Sequence, residues 1–313
     1  MTEKKPLILS LNVPFCPARC AYCDKLTQAV GDLSTLEDYA AALRREVEYA
    51  AGDYADCEVQ AVWIGGGIAS HLFDEALGDL LRVMSSWFSF APDAEITLKA
   101  HPGMVSVETL NACRRGGVSR LSVEYVTANA FEDEPLGRFL PPAAMDTTML
   151  VLQNAPISLS FDLLLGLPAQ TAGTLAQTLA KAVSYGAKHI SLYPLRVSEG
   201  TPFADGWVRQ NAGSTALRKH LPDAQERESL AASADRWLRE RGFEPYLPGH
   251  YAQDGFACRY RLLQSKRCEQ LGFGAGAETR FDGVYSRNTR SVRDYCRFSP
   301  DPQKLTRVAR AIE

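Results

Sequence analysis

The sequence predicts an α/β fold with a parallel sheet. Six strand-like stretches alternate with helix-like ones over the first 200 residues, an order that makes right-handed crossovers and lays successive strands side by side. Glycine or proline stands at the carboxyl end of several of these strands, and in barrels of this type the chemistry sits on the loops at that end. A composition of 46% hydrophobic and 23% charged residues over 313 positions is that of an ordinary globular chain. It has room for one large barrel-type domain, or for a barrel with a smaller appendage.

The first strand, Leu7 to Val13, stops at Pro14, whose ring removes a ladder donor and restricts the residue before it. Ser34-Thr35-Leu36-Glu37 has the form of a capping box. Leu36, Tyr39, Leu43, Val47 and Ala50 follow at helical spacing, so this helix buries one stripe. The second strand, Val59 to Ile64, runs into Gly65-Gly66-Gly67. Next come a helix near Glu75 to Ser85, a strand Glu95 to Ala100, a helix Val107 to Arg115 and a strand Ser119 to Tyr125. Helical stretches near Ala128 to Leu136 and Ala143 to Gln153 lead to the strand Ile157 to Leu165, closed by Gly166-Leu167-Pro168. Leu175, Leu179 and Val183 mark another helix with Gly186 as its C-cap, and His189 to Tyr193 is the sixth strand.

After about Ser198 the alternation stops. Gly200-Thr201-Pro202 and the polar stretch Arg209 to His220 read as a connection. A helix from Ala224 to Arg241 carries Leu230, Ala234, Trp237 and Leu238 on one face and ends at Gly242. Short strands are expected at Phe243 to Leu247, Glu269 to Glu278 and Val284 to Asn288, with a helix at the end. The expected division is a barrel over 1–200 and an extension over 201–313.

Val13 to Lys25 is the stretch that carries chemistry. Cys16, Cys20 and Cys23 have the spacing C-x3-C-x2-C. Three thiolates can each hold one iron of a [4Fe–4S] cube and leave the fourth open, where a closed electron-transfer cluster would use four cysteines. Eight cysteines in all are too sparse for a disulfide scaffold. A zinc site short of a ligand and three unrelated cysteines are the alternatives to a cluster. The glycine triplet lets backbone approach a ligand closely, or by itself makes a tight turn. A net charge of −3 gives no basis for nucleic acid or an anionic membrane as partner. The apolar run Leu7 to Leu11 is too short and too early for a signal peptide, and no stretch reaches membrane-spanning length. A cytoplasmic location is therefore expected.

With the cysteine loop after the first strand and the triple glycine after the second, the sequence resembles radical S-adenosylmethionine (SAM) enzymes. Within them it is similar to the oxygen-independent coproporphyrinogen III dehydrogenases and haem chaperones, the HemN/HemW-like branch. The matching segments are Pro14-Phe15-Cys16, Cys20-Ala21-Tyr22-Cys23-Asp24, Trp63-Ile64-Gly65-Gly66-Gly67, Glu95-Ile96-Thr97-Leu98 and Pro102-Gly103. They continue with Arg120-Leu121-Ser122-Val123, Leu136-Gly137-Arg138, Asp162, Gly166 to Thr171, His189 to Tyr193, Gly200 to Pro202 and Leu271 to Ala277. They run in order over nearly the whole chain. The resemblance implies a partial (β/α)6 TIM-type barrel with a small α+β C-terminal extension. It implies a [4Fe–4S] cluster on Cys16, Cys20 and Cys23, with SAM on the open iron. Reductive cleavage of SAM would give methionine and a 5′-deoxyadenosyl radical that takes hydrogen from a small-molecule substrate, unidentified here and compatible with a tetrapyrrole. A reductant such as flavodoxin or ferredoxin is implied with it. Tyr22 would pack near the adenine and Gly65, Gly66 and Gly67 would approach the methionine end. Lys99, Asp162 and Tyr193 would face the cofactor. Read alone, Asp162 is a helix cap or an ion-pair partner.

The chain departs from this pattern around the same ligand. Ser10-Leu11-Asn12-Val13 stands where relatives carry Tyr-Ile-His-Ile, Ile68 replaces a threonine, Lys99 a glutamate and Val126 a glutamine. Lys25 occupies the place of a fourth cysteine in the coproporphyrinogen enzymes. The haem chaperones' His-Asn-x-x-Tyr-Trp signature falls on Arg259 to Gln264, without histidine or tryptophan, and the chain ends about where relatives continue into a further module. Haem binding or transfer on the same scaffold, and a cluster-bearing protein that has lost SAM cleavage, are the alternatives to an enzyme. Tyr260 and Cys258 are candidate haem ligands or buried structural residues. Cys258, Cys268 and Cys296 form an auxiliary cluster or serve as structural thiols, and Cys57 and Cys113 read as packing residues. His101, His189 and His250 read as supports of the fold. Arg196, Arg259 and Arg261, expected near the barrel mouth, would suit a carboxylated substrate or stand solvated.

Overall fold

The computed structural model describes residues 4–29, 33–71, 74–138, 143–152, 155–206 and 221–311. The expected connection over 209–220, and Gln153, lie outside these residues. The barrel strands are β1 (Lys5–Val13), β4 (Cys57–Gly66), β5 (Phe90–Ala100), β6 (Arg120–Val126), β7 (Ser158–Leu165) and β8 (His189–Pro194). They lie side by side in that order, every neighbouring pair parallel. The helices α1 (Leu33–Ala50), α2 (Asp74–Trp87), α3 (Val107–Arg115), α4 (Ala130–Asp133), α5 (Ala144–Leu152) and α6 (Ala172–Ser184) alternate with them. Two short strands, β2 (Phe15–Cys16) and β3 (Gln28–Ala29), bracket the cysteine loop. Among the described residues no helix is long and apolar enough to cross a membrane.

Helix ends follow local chemistry. Thr171 caps α6 in a reciprocal box with Thr174. Gly186, at φ +87°, follows its last turn and donates to the Val183 carbonyl at 2.9 Å. Helix α1 already begins at Leu33, so Ser34 sits inside the first turn instead of capping it. The helix expected over Ala128 to Leu136 shortens to α4 plus a 3-10 turn at Glu134–Leu136, where Pro135 removes a backbone donor.

Strand alternation sorts the two faces of the sheet. Leu7, Leu9, Leu11, Leu98, Leu121, Val123, Phe161, Leu163 and Ile190 are buried in the main core under the helices. Their even- or odd-numbered neighbours turn inward and are polar: Glu95, Thr97 and Lys99 on β5, Arg120, Ser122 and Glu124 on β6, Asp162 on β7, Ser191 on β8. These inward groups satisfy each other, as in Arg120 to Glu95 at 2.7 Å and Ser122 to Asp162 at 2.9 Å.

The C-terminal segment completes the same sheet. After α7 (Ala224–Arg239) come β9 (Glu244–Leu247), β10 (His250–Ala252), α8 (Arg259–Ser265), β11 (Glu269–Phe273), β12 (Glu278–Phe281) and β13 (Val284–Asn288). Helix α9 (Val292–Phe298), α10 (Pro302–Leu305) and β14 (Thr306–Ala311) follow. Strand β10 joins β8 antiparallel and β11 joins β1 in parallel, so both edges of the six-stranded run are covered. Helix α8 fills the open side of the lumen. Tyr260 packs on Trp63 with ring centroids 5.7 Å apart, and the Cys258 thiol lies 3.3 Å from Glu95. Glu46 of α1 ties on the extension by accepting from Tyr295, Asn288 and the Gly274 amide at 2.6–2.8 Å.

Candidate cluster and cofactor site

The cysteine loop is pinned at its base and along its length. Strand β2 pairs with β3, Phe15 opposite Gln28 and Cys16 opposite Ala29, so the chain leaves and returns at one place. Within the loop the Cys23 amide donates to the Cys20 carbonyl at 3.1 Å, and the Arg19 guanidinium forks onto the Cys23 carbonyl at 2.8 and 3.0 Å. Ala21 is held from both sides. Its amide donates to the Leu136 carbonyl, and its carbonyl accepts from Phe203, each at 2.8 Å. The Leu136-Gly137-Arg138 segment is thus a clasp on the loop. Gly137, at φ +58°, passes close enough that a Cβ there would lie 3.3 Å from that of Ala21.

The glycine triplet works by closeness. A Cβ at Gly67 would strike the Phe15 backbone, including its nitrogen at 2.8 Å, and one at Gly66 (φ +108°) would strike Asn12. The Gly67 amide is spent on the Val13 carbonyl at 2.7 Å and that of Ile68 on Phe15 at 2.9 Å. Glycine here lets the end of β4 press against the start of the cysteine loop. Gly65 lies behind, against Trp63 and Lys99.

One cavity of about 440 Å³ opens at the carboxyl end of the parallel strands. It is lined by Cys16, Cys20, Cys23, Tyr22, Gly66, Gly67, Lys99, Asp162 and Tyr193, and Gly65 is outside its lining. Ile68, Val126 and Lys25, three of the departures from the family pattern, line it too. Arg196 and Arg261 reach it, with Arg261 stacked over Trp63 at 4.4 Å and bonded to the Tyr193 hydroxyl at 3.3 Å. Arg259 does not. It pairs with Asp93 and Gln60 near the amino-terminal half of β5, away from the mouth where it was expected. Cys258, Cys268 and Cys296 are absent from this lining, and Cys258 and Tyr260, at the start of α8, are buried.

Glu124 sits at the centre of the electrostatics, and sequence reasoning missed it. Its carboxylate lies 2.7 Å from the Lys99 ammonium and accepts from the Tyr22 hydroxyl at 3.1 Å. Burial alone would push Glu124 up, but Lys99 and Lys25 outweigh it and hold the carboxyl well below its usual range. Burial would likewise lower Lys99, and Glu124 with Asp162 raises it above the usual lysine value. The Lys99 ammonium, followed by burial, lowers Lys25. The only advance signal for Glu124 was period-two spacing from Ser122 on an inward face. Val126, at φ +70° with the Thr127 amide donating to Tyr125 at 2.9 Å, is the centre of a γ-turn of the rare left-handed kind. A β-branched residue in that region is strained, and it stands on the cavity wall.

The donor set fits an iron–sulfur cube. Burial and then Glu124 push the Cys16 thiol up to about 11 and that of Cys20 up to about 12, so the metal-free loop holds these two as neutral thiols and metal binding must release their protons. Among the described residues no group of His, Cys, Asp or Glu converges tightly enough for a single metal ion. A cube puts each sulfur on a different iron and does not require that convergence.

No family model matches the sequence. The haem chaperone HemW of Synechocystis is 30% identical over 291 residues, covering 90% of this chain and 68% of that protein. The chain belongs to the HemN/HemW-like branch of the radical SAM proteins. HemW of Escherichia coli K12 is 27% identical over 295 residues, 93% of this chain and 75% of its own length. The fold matches the radical SAM enzyme coproporphyrinogen III oxidase (HemN) from Escherichia coli with a TM-score of 0.82 at 21% identity, over 100% of this chain and 73% of that one.

Proposed function

We propose that the cavity holds a [4Fe–4S] cluster on Cys16, Cys20 and Cys23 beside SAM, and acts on a small molecule by radical chemistry. One observation carries the reading: loop cysteines, Gly66 and Gly67 at the end of the second barrel strand, and Lys99, Glu124, Asp162 and Tyr193 of the next four meet at a single cavity. When bound, the cluster and SAM supply an electron and a 5′-deoxyadenosyl radical. The chain's own residues do the rest. Tyr22 and Asp162 line the wall with their hydroxyl and carboxylate fixed by Glu124 and Ser122. Lys25 gives the cavity a positive group suited to a carboxylate such as that of the SAM methionine end, Lys99 being paired with Glu124. A small reducing protein such as flavodoxin or ferredoxin would deliver the electron. The test is anaerobic reconstitution, iron per chain, and 5′-deoxyadenosine formed on reduction. One cluster per chain and product are expected, and iron retained after all three cysteines become alanine would end the reading.

The haem chaperone relatives support a second reading, haem as a cargo of the same cavity. A haem titration followed by the Soret band tests it. Tyr260 is buried against Trp63 and bonded toward Gln270 at 3.4 Å, so Tyr260→Phe should leave the bound spectrum unchanged. No Soret shift on the wild-type protein would dismiss haem.

A further inference from the structure

We propose that the open face of the last three strands is the docking surface for a small acidic protein, the one that hands an electron to the cluster. That the docked protein reduces a cluster rests on the proposed function; the acidic docking itself does not. Between Gly283 and Ala311 seven cations stand against two carboxylates, in a chain whose net charge is −3. Both carboxylates are taken within the segment, Asp294 by Arg307 at 3.7 Å and Asp301 by Lys304 at 2.9 Å. Arg287, Arg290 and Arg310 form no ion pair among the described residues.

Register gathers the arginines. Along β12, β13 and β14, Glu278 stands opposite Arg287, Arg280 opposite Tyr285 and Tyr285 opposite Arg310, so these five share one face of the sheet. The Arg310 guanidinium lies 5.3 Å from the centre of the Tyr285 ring, and the Tyr285 hydroxyl donates to Glu278, the carboxylate of this face, at 2.8 Å. The other face is turned to the core, where Phe281 packs on Tyr54 with ring centroids 4.8 Å apart. Arg290 and Arg310 are exposed and Arg287 is half-buried.

The place of this face decides its partner. Glu278, Arg287 and Arg290 line one hollow with Asp24 and Lys25, the two residues that follow Cys23. Arg290 and Leu26 flank Gly276, where a Cβ would lie 3.7 Å from the arginine side chain and 3.1 Å from the leucine. A positive face beside the cysteine loop steers a negatively charged molecule to the edge of that loop. Three short strands offer the small footprint of a transient redox encounter, where nucleic acid would need a basic track long enough to follow a duplex. On docking, one electron passes across: the partner is oxidised by one electron and the cluster reduced by one, with no bond made or broken.

The probe is reduced flavodoxin, mixed with the cluster-loaded chain by stopped flow. Flavin fluorescence reads binding, and bleaching of the cluster absorbance reads electron transfer. Dithionite, too small to need docking, is the control reductant. Binding should weaken as salt rises. Arg290→Glu and Arg310→Glu, both at exposed positions, should each slow association about 3- to 10-fold at low salt, and together about 10- to 100-fold. Iron per chain and bleaching by dithionite should stay unchanged. Arg115→Glu, at the end of α3 that leads into the amino end of β6, should leave the rate within about twofold of the wild type. Rates unmoved by both variants, equal slowing by Arg115→Glu, or binding indifferent to salt would each overturn the docking surface. So would a DNA duplex that displaces flavodoxin, or a low-salt dimer of this chain that both reversals dissolve. A chain that binds flavodoxin in this way but loads no iron keeps the surface and removes the cluster reading.

Discussion

Replacing Glu124 by glutamine strands the Lys99 ammonium in a buried site. The two charges sit 2.7 Å apart with side chains only 9% and 23% exposed. At an effective dielectric near 20 their attraction is about 6 kcal/mol, offset by a desolvation cost of several kcal/mol per ion. The net worth of the pair is therefore small, and the cost of breaking it is large. Glu124→Gln or Lys99→Met alone should cost about 3–5 kcal/mol, while the double variant, with neither member of the pair left without its partner, should return to within about 1 kcal/mol of the wild type. Urea unfolding of the four proteins at matched iron content measures this, and a coupling of at least about 2 kcal/mol is expected. Losses that add within about 0.5 kcal/mol would show that the two charges do not depend on each other, and the electrostatic account of the cavity would fail. The same geometry changes what Lys99→Glu would do. That reversal sets a second carboxylate against Glu124, so it should destabilise the fold unless Glu124→Lys or Glu124→Gln accompanies it.

His101 is held neutral: its Nδ1–H donates to the Pro102 carbonyl at 2.8 Å and its Nε2 accepts from Arg138 at 3.1 Å. Burial, then the Arg138 guanidinium, push its pKa from 6.5 down to about 4. The unfolded chain takes up that proton first, so the stability is fully present above pH 6.5 and is lost as pH falls to about 4, by about 3 kcal/mol in all. The urea midpoint of His101→Gln should fall less steeply across that window, and a slope equal to the wild type's would reject the assignment. Gly67→Ala should drive a Cβ into the Phe15 backbone and displace the start of the cysteine loop. Iron per chain should drop severalfold while the far-ultraviolet circular dichroism stays unchanged, and full iron retention would show that the close approach is dispensable.

Local spacing was enough for the parts of this protein that a short stretch of chain decides. Alternation of period two and period 3.6 located the six barrel strands and their helices, and the C-x3-C-x2-C loop and the triple glycine stood out because their geometry is set within a dozen residues. The polar lumen went unread, although Glu95, Thr97 and Lys99 on one strand and Arg120, Ser122 and Glu124 on the next alternate with apolar residues. Partners were not visible. That Lys99 meets Glu124, that Arg259 lies at the wrong end of the barrel while Arg261 reaches the cavity, and that β10 and β11 close opposite edges of the sheet depend on register between distant segments. Register is fixed only when the whole apolar face is buried at once, because a one-residue slip would turn every inward group outward. The sequence by itself therefore determined the strands, the cysteine loop and the glycine triplet, whose geometry is local, and the tertiary structure decided which side chains face one another.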